Sequence, residues 1–148
     1  MPEPLADPNV RLLALVDLLL VLKMIALANY TSFLRLRRRV YATPEDYAMR
    51  AATPPARPDE DIERVRRAHR NDLENILPFF VVGFFYLMTH PSMLAAQIYG
   101  IGYLLVRTLH SIFYIRSMQP HRTIAFTAGS VLTLAMLVQT LVAVLRAG

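Results

Sequence analysis

The chain has 148 residues, no cysteine and a formal net charge of +5, and 55% of its residues are hydrophobic. One domain is expected at this length. The lack of cysteine excludes a disulfide, a thiolate metal site and a cysteine nucleophile. The hydrophobic residues are gathered into long runs flanked by arginine, which indicates a membrane protein and explains the basic excess. We therefore expect no nucleic-acid binding.

Four segments are predicted to span a membrane, at about residues 10–38, 62–89, 92–117 and 122–146. A membrane-spanning helix needs roughly 20 apolar residues. The first, third and fourth segments meet this need directly. The second does so only if its helix begins near Arg66 and turns charged residues inward. The predicted fold class is all-α, an antiparallel four-helix membrane bundle that forms a single domain over residues 1–148.

The basic residues predict the orientation. Ten arginines lie between Arg35 and Arg70, and two more, Arg116 and Arg122, flank the third connection, whereas residues 89–92 include neither Lys nor Arg. The positive-inside rule then places the loop at about 39–61 in the cytoplasm and both termini on the other side of the membrane. A signal peptide is not expected, because an arginine run rather than a cleavage site follows the first segment.

Local signals predict where helices begin and bend. Thr43 followed by Pro44 predicts a short helix over about 44–50. The acidic residues from Asp59 onward predict the start of the second long helix, and Pro78 predicts a bend within it. Small residues spaced four apart predict close helix packing at two places, Ala96 with Gly100 and Ala125 with Gly129.

The second segment carries a dense charged cluster directly into an apolar run. Read as a helix, it places five residues on one face by the i, i+3, i+4, i+7 rule: Arg67, Arg70, Asn71, Glu74 and Pro78. Ionisable groups that enter a membrane are costly, and they usually face a protein interior or a polar cavity. This face is therefore predicted to line a pocket at the membrane boundary.

The third segment carries a second polar stripe with the same spacing, made of Arg107, His110, Ser111 and Tyr114. Arg107 is interpreted as a pocket residue, and the alternative is a snorkelling side chain or a structural ion pair, for which Glu74 is one candidate partner. Arg122 and Thr123 open the fourth helix. Either Arg122 is a charge at the membrane interface, or it faces the same pocket, where the free N–H groups of a helix start favour anions.

Two ionisable residues lie in the first segment, Asp17 and Lys23. They are six residues apart on different faces and are not expected to pair. Lys23 is expected to contact another helix, and its role is left open. Arginine clusters recognise carboxylates by bidentate pairing, and Glu74 could hold an ammonium. The predicted ligand is a small zwitterionic peptide with two carboxylates.

The motif Glu63-Arg64-x-x-Arg67-Ala68-x-x-Asn71-x-x-Glu74 resembles the signature of the MAPEG family, the membrane-associated proteins of eicosanoid and glutathione metabolism. The similarity extends over nearly the whole chain, including Arg107-x-x-His110 and Gln119-Pro120-His121-Arg122. It implies a homotrimer of four-helix subunits, with glutathione bound between neighbours near the cytoplasmic side. It also implies an endoplasmic-reticulum or mitochondrial outer membrane in a eukaryote, or the inner membrane in a bacterium.

The resemblance further implies roles for individual residues. Glutathione contacts are expected at Arg35, Arg70, Asn71, Glu74, His110, Tyr114 and Arg122, to which the pocket residues Arg107 and Phe126 are added. Arg122 matches the arginine that stabilises the thiolate, Thr123 keeps a hydroxyl beside it, and Asp46 matches an aspartate proposed to assist catalysis in the prostaglandin E synthase branch. No metal site is expected.

The expected activity is a glutathione transferase of detoxification, which adds the thiolate to lipophilic electrophiles from the bilayer or reduces lipid hydroperoxides. Phe126 and Gln119-Pro120 resemble the transferase branch more than the synthase branch. A glutathione-dependent prostaglandin E synthase is the first alternative, and a non-catalytic scaffold subunit is the second. A haem protein that uses His69 and His110 is the third.

Overall fold

The computed structural model describes residues 4–147, and in that range it contains helices and no strand. After a single 3-10 turn at Pro4–Ala6, the chain forms five α-helices: α1 (Pro8–Arg38), α2 (Pro44–Met49), α3 (Glu60–Leu87), α4 (Met93–Ile115) and α5 (His121–Ala147). The all-α prediction is confirmed. Each long helix covers one of the four segments predicted to span a membrane. Residues 1–3 and 148 of the predicted domain lie outside the described residues.

Side-chain caps fix the starts of two helices where the sequence predicted them. Thr43 caps α2, and its hydroxyl accepts from the Asp46 N–H at 3.3 Å. Asp59 caps α3, and its carboxylate accepts from the N–H groups of Asp61 and Ile62 at 3.0 and 3.2 Å. These bonds satisfy N–H groups that the first turn of a helix leaves free.

The proline in α3 does not end that helix. Pro78 lies in its interior, yet the helix continues to Leu87. Because proline has no N–H, the carbonyl of Glu74 loses its usual helical partner. The cost is one backbone hydrogen bond, and the bend predicted at Pro78 stays a prediction.

The four long helices pack as a closed ring around one core. α1 contacts α3 and α4, α5 contacts the same two helices, and α3 also contacts α4 across the middle. Within residues 4–147, α1 and α5 do not touch. The α1–α3 side of the ring is therefore opposite the α4–α5 side.

The core is built from aromatic and aliphatic side chains of all four long helices. Phe79 of α3 stacks on Tyr103 of α4, with ring centroids 3.9 Å apart. Gly100 lets α4 approach α1, since a Cβ there would lie 3.0 Å from a Leu13 methyl carbon. Gly129 lets α5 approach α4 in the same way, because its Cβ would meet the Arg107 side chain at 3.3 Å. The predicted close packing at these small residues is confirmed.

The outer surface of the long helices is rich in exposed leucine, isoleucine, valine and phenylalanine. Two helices within the described residues, α4 and α5, are long and apolar enough to cross a membrane by length and composition. α1 and α3 carry more charge. That all four cross a membrane, with a cytoplasmic loop at 39–61 and both termini opposite, stays a prediction.

Candidate functional site

A buried carboxylate is the centre of the polar interior. Asp72 of α3 is fully buried. Its Oδ2 accepts from Lys23 Nζ of α1 at 2.5 Å and from Ser111 Oγ of α4 at 3.1 Å, and its Oδ1 accepts from Arg107 Nη2 of α4 at 2.9 Å. Three helices are thus joined through one side chain. The expectation that Lys23 contacts another helix is confirmed.

Arg107 forms a buried structural ion pair, as the alternative interpretation allowed, but its partner is Asp72, so the suggested pairing with Glu74 was wrong. Asp72 lies on the buried stripe of α3 between Ala68 and Ile76, whereas Glu74 is two residues further along and exposed. Two residues correspond to about 200° around a helix. Glu74 lines a groove of about 230 Å³ between α3 and α5, beside Ser130 and Thr133.

Sequence reasoning missed Asp72, although a signal was present. The core-facing residues of α3 are Ile62, Val65, Ala68, Asp72, Ile76, Phe79, Gly83 and Tyr86. Seven of these eight residues are apolar or weakly polar and repeat every three or four positions, as on the buried face of a helix. An aspartate inside that stripe predicts a buried carboxylate with cationic partners.

A basic groove of about 360 Å³ lies between α1 and α3. It is lined by Ala28, Thr31, Ser32 and Arg35 of α1 and by Arg66, His69, Arg70 and Leu73 of α3. Arg66 pairs with Glu63 at 2.6 Å, but Arg35 and Arg70 bond no carboxylate of residues 4–147. Arg35 Nε is also buried without a hydrogen-bond partner in that range. The groove therefore offers uncompensated positive charge to an anion.

A second predicted group lies between α4 and α5. The Arg122 guanidinium stands 4.6 Å from the centre of the Tyr114 ring, and the buried His110 ring lies 5.6 Å from Tyr114 and 6.0 Å from Phe126. Arg122 is the second residue of α5, so it stands at a helix start, where the positive end of the dipole adds to its charge.

The Gln119 amide holds this guanidinium in place. Arginine has only hydrogen-bond donors. The amide oxygen therefore faces Arg122 and accepts from Nη2 at 2.5 Å and from Nε at 3.2 Å, while the amide nitrogen donates to Thr123 Oγ1 at 3.1 Å. Within the described part of the chain, Arg122 pairs with no carboxylate, so its charge stays available.

Asp46 lies apart from this group. It lines a cleft of about 230 Å³ with Arg35, Tyr41 and Arg50, and its carboxylate is 4.0 Å from Arg50. Ser32 and Arg35 belong both to this cleft and to the basic groove, so the two cavities are neighbours.

The predicted site residues thus form separate groups in one chain. Arg35 and Arg70 lie on the α1–α3 side of the ring, and Tyr114 and Arg122 lie on the opposite side. Both groups lie at the same end of the helix bundle. The end of α4 at Ile115 packs against core residues at the end of α1 and the start of α3, so these three helix ends are neighbours. His69 lines the basic groove, whereas the buried His110 packs against Tyr114 and Phe126.

Comparison with known proteins identifies the family. A model of the MAPEG family matches residues 13–142. The chain belongs to the MAPEG family. It is 40% identical to the prostaglandin E synthase of Rattus norvegicus over 83% of this chain and 81% of the relative. It is 41% identical to the microsomal glutathione S-transferase 1 of the same organism over 80% of this chain and 79% of the relative. The prostaglandin E synthase of Homo sapiens is 33% identical over 93% of this chain and 91% of the relative.

These MAPEG relatives confirm the family that the sequence motif resembled. Together with the two apolar helices, membership supports a membrane location. Relatives of both names match to nearly the same identity, so overall similarity does not separate a transferase from a synthase.

Proposed function

We propose that this chain is a glutathione-dependent membrane transferase that adds the glutathione thiolate to lipophilic electrophiles or reduces lipid hydroperoxides. The position of Arg122 carries the proposal. Its guanidinium is held over Tyr114, at the start of α5, with no carboxylate of residues 4–147 to neutralise it. The relatives, named glutathione S-transferase and prostaglandin E synthase, point to the same class of enzyme.

The residues at this end of the molecule fit a small peptide with two carboxylates. Arg35 and Arg70 supply unpaired guanidinium groups in the basic groove, and the buried Arg35 Nε lacks a partner among the described residues. Arg–carboxylate pairs are among the strongest hydrogen-bonded contacts. Glu74 supplies an exposed carboxylate for an ammonium group.

The separation of the two groups supports a site made by two copies of the chain. One small peptide cannot touch Arg70 and Arg122 if they lie on opposite sides of one four-helix ring. Placing the α1–α3 side of one copy against the α4–α5 side of the next is a head-to-tail contact, and such contacts form a ring when the rotation between copies closes. A membrane-embedded homotrimer of four-helix subunits is the ring that we propose.

Glutathione would supply a thiol, whose ordinary pKa of about 8.5 leaves it mostly protonated at neutral pH. Arg122 stabilises the negative charge of the sulfur electrostatically. Arginine stays protonated and is no base, so water takes the proton. We assign Thr123 and Asp46 supporting roles, the first beside Arg122 and the second next to the basic groove.

The second substrate is expected to arrive from the bilayer. Phe126, one turn beyond Arg122 on the same face of α5, is 38% exposed. An exposed apolar side chain beside a charged group favours a lipophilic molecule that brings its electrophilic centre to the sulfur. The prostaglandin endoperoxide is one such molecule, and the synthase relatives make its isomerisation the second candidate function.

The test is purification in mild detergent followed by three measurements. Native mass spectrometry is expected to give a trimer, and calorimetry is expected to give saturable glutathione binding. A panel of an aryl halide, a lipid hydroperoxide and the prostaglandin endoperoxide then separates transferase, peroxidase and synthase. Binding without turnover of any of the three would favour the scaffold alternative, and no binding would refute the proposal.

A further inference from the structure

Arg107 holds the side chain of Asn71 in one orientation. Its Nη2 donates to Asn71 Oδ1 at 2.7 Å and to the Asn71 carbonyl oxygen at 3.1 Å. A guanidinium has donors only, so the amide oxygen must face it and the amide nitrogen must face away. No acceptor within residues 4–147 bonds that nitrogen, and Asn71 is half-buried rather than enclosed.

The Arg107 side chain is itself buried and anchored by Asp72. It is 1% exposed, and its Nη2 also donates to Asp72 Oδ1 at 2.9 Å. Lys23 and Ser111 bond the other oxygen of the same carboxylate. A long arginine side chain loses rotamer freedom when it is anchored in this way. The chain of contacts runs from α1 through Asp72 and Arg107 to the amide of Asn71.

The charges behind Asn71 do not cancel. Lys23 and Arg107 are cations and Asp72 is the carboxylate between them, so the cluster keeps a net positive charge. A positive interior next to an outward amide N–H favours an acceptor in front of it and disfavours an ammonium.

We infer that Arg107 is a positioning residue that fixes Asn71 as a one-way donor toward a carboxylate or carbonyl oxygen of the bound peptide thiol. The inference rests on the proposed glutathione function and adds a specificity determinant to it. Arg107 acts through Asn71, because its Nη2 bonds both Asn71 and Asp72 and the side chain is 1% exposed. The cluster with Lys23 therefore selects a ligand acceptor at this position.

A double-mutant cycle tests this. Asn71→Ala removes the donor, and Arg107→Met frees the amide to rotate while leaving Lys23 paired with Asp72. Each single change is expected to raise the glutathione KM about tenfold, the size of one lost hydrogen bond. The turnover number at saturating glutathione should stay within about threefold. The double variant should match Asn71→Ala alone, because Arg107 acts only through that amide.

Thr108→Val is the matched control. Thr108 follows Arg107 on α4 and donates only to the Leu104 carbonyl of its own helix, so its KM should equal that of the wild type. Asn71→Asp provides a test that leaves Arg107 in place. It keeps the bond to the guanidinium but turns an oxygen outward, so it should raise KM more than Asn71→Ala does.

Each outcome decides one claim. If the KM increases of Asn71→Ala and Arg107→Met multiply in the double variant, the positioning role is overturned. The same holds if Asn71→Asp binds glutathione as well as Asn71→Ala does. In both cases, glutathione binding by the wild type leaves the proposed function intact. A wild-type protein that binds no glutathione would overturn the proposed function and the ligand assigned to Asn71 together.

Discussion

Charged groups are paired in the interior of this molecule, whereas Arg35, Arg70 and Arg122 pair with no carboxylate of residues 4–147 at the end that they share, which we call the groove end. In the interior, Asp72 is fully buried and both its oxygens are bonded, by Lys23, Arg107 and Ser111. At the groove end, Arg35 and Arg70 lie in an open groove, and neither bonds a carboxylate within the described residues.

The difference separates charges that hold the fold from charges that are left free to pair with an anion. A buried charge must be compensated inside the chain, or folding bears the full desolvation cost. A charge at an open groove can be hydrated until an anion displaces the water. The paired interior cluster therefore fixes helix positions, whereas the unpaired arginines can still form ion pairs with an anion.

The largest expected effect is in the interior. Asp72→Asn would leave the buried Arg107 and the partly buried Lys23 without a carboxylate. Removal of one partner of a buried ion pair costs about 3–5 kcal/mol. The free energy of unfolding in detergent, from denaturant titration, measures it. Glu74→Gln, an exposed acid on the same helix, should leave this free energy unchanged. Equal stability of both variants would show that the interior cluster holds nothing together.

The next effect is on rate at the groove end. Arg122→Ala should keep the fold and lower turnover by about 10²–10³, the cost of removing one preorganised charge stabiliser. It should also raise the pH needed to form the thiolate, as followed by ultraviolet absorbance. Arg116→Ala is the control, since Arg116 is exposed at the end of α4. An unchanged titration midpoint and rate would return Arg122 to the role of an interface charge.

The third prediction concerns glutathione binding by Glu74. Because Arg107 pairs with Asp72, Glu74→Gln leaves no buried cation unpaired. The variant should therefore keep its stability and most of its maximal rate, while the glutathione KM rises about tenfold through loss of an ammonium partner. Initial-rate kinetics at varied glutathione would show it. An unchanged KM would remove Glu74 from the site.

The features that could be predicted from sequence are those decided by neighbouring residues. The caps at Thr43 and Asp59 need only the next three residues, and the close packing at Gly100 and Gly129 needs only small size at the right spacing. The helix content and the family motif were predictable for the same reason.

The features that sequence reasoning missed depend on how helices are rotated against one another. The face of α3 chosen by charge, with Arg67, Arg70 and Glu74, is exposed at those three residues, whereas the core-facing stripe contains Asp72. Neighbouring residues point about 100° apart on a helix, so a small error in rotation changes every contact. The Lys23–Asp72 pair joins residues 49 apart in the chain, and no local pattern announces such a pair.

The smallest predicted effect tests the surface counterpart of the buried cluster. Arg38 donates to both oxygens of Asp59 at 2.7 Å and to Asp61 at 2.8 Å. The Arg38 hydrogen bond, together with the α3 backbone N–H groups that Asp59 caps, holds the pKa of Asp59 below its ordinary value of 3.8. A carboxylate with a lowered folded-state pKa adds stability above the unfolded pKa and loses it as pH falls through the folded pKa.

Unfolding measured between neutral pH and about pH 3 should therefore show a loss of stability below about pH 4 that is specific to this pair, and the loss should be small because exposed ion pairs are well solvated. Asp59→Asn keeps a capping oxygen but not the charge, so its stability should be lower at neutral pH and converge with the wild type in acid. High salt should weaken the wild-type advantage, since exposed pairs are screened. Parallel pH curves for the two proteins would mean that the Arg38 contact adds nothing, and that the charges with measurable effect on folding are those buried around Asp72.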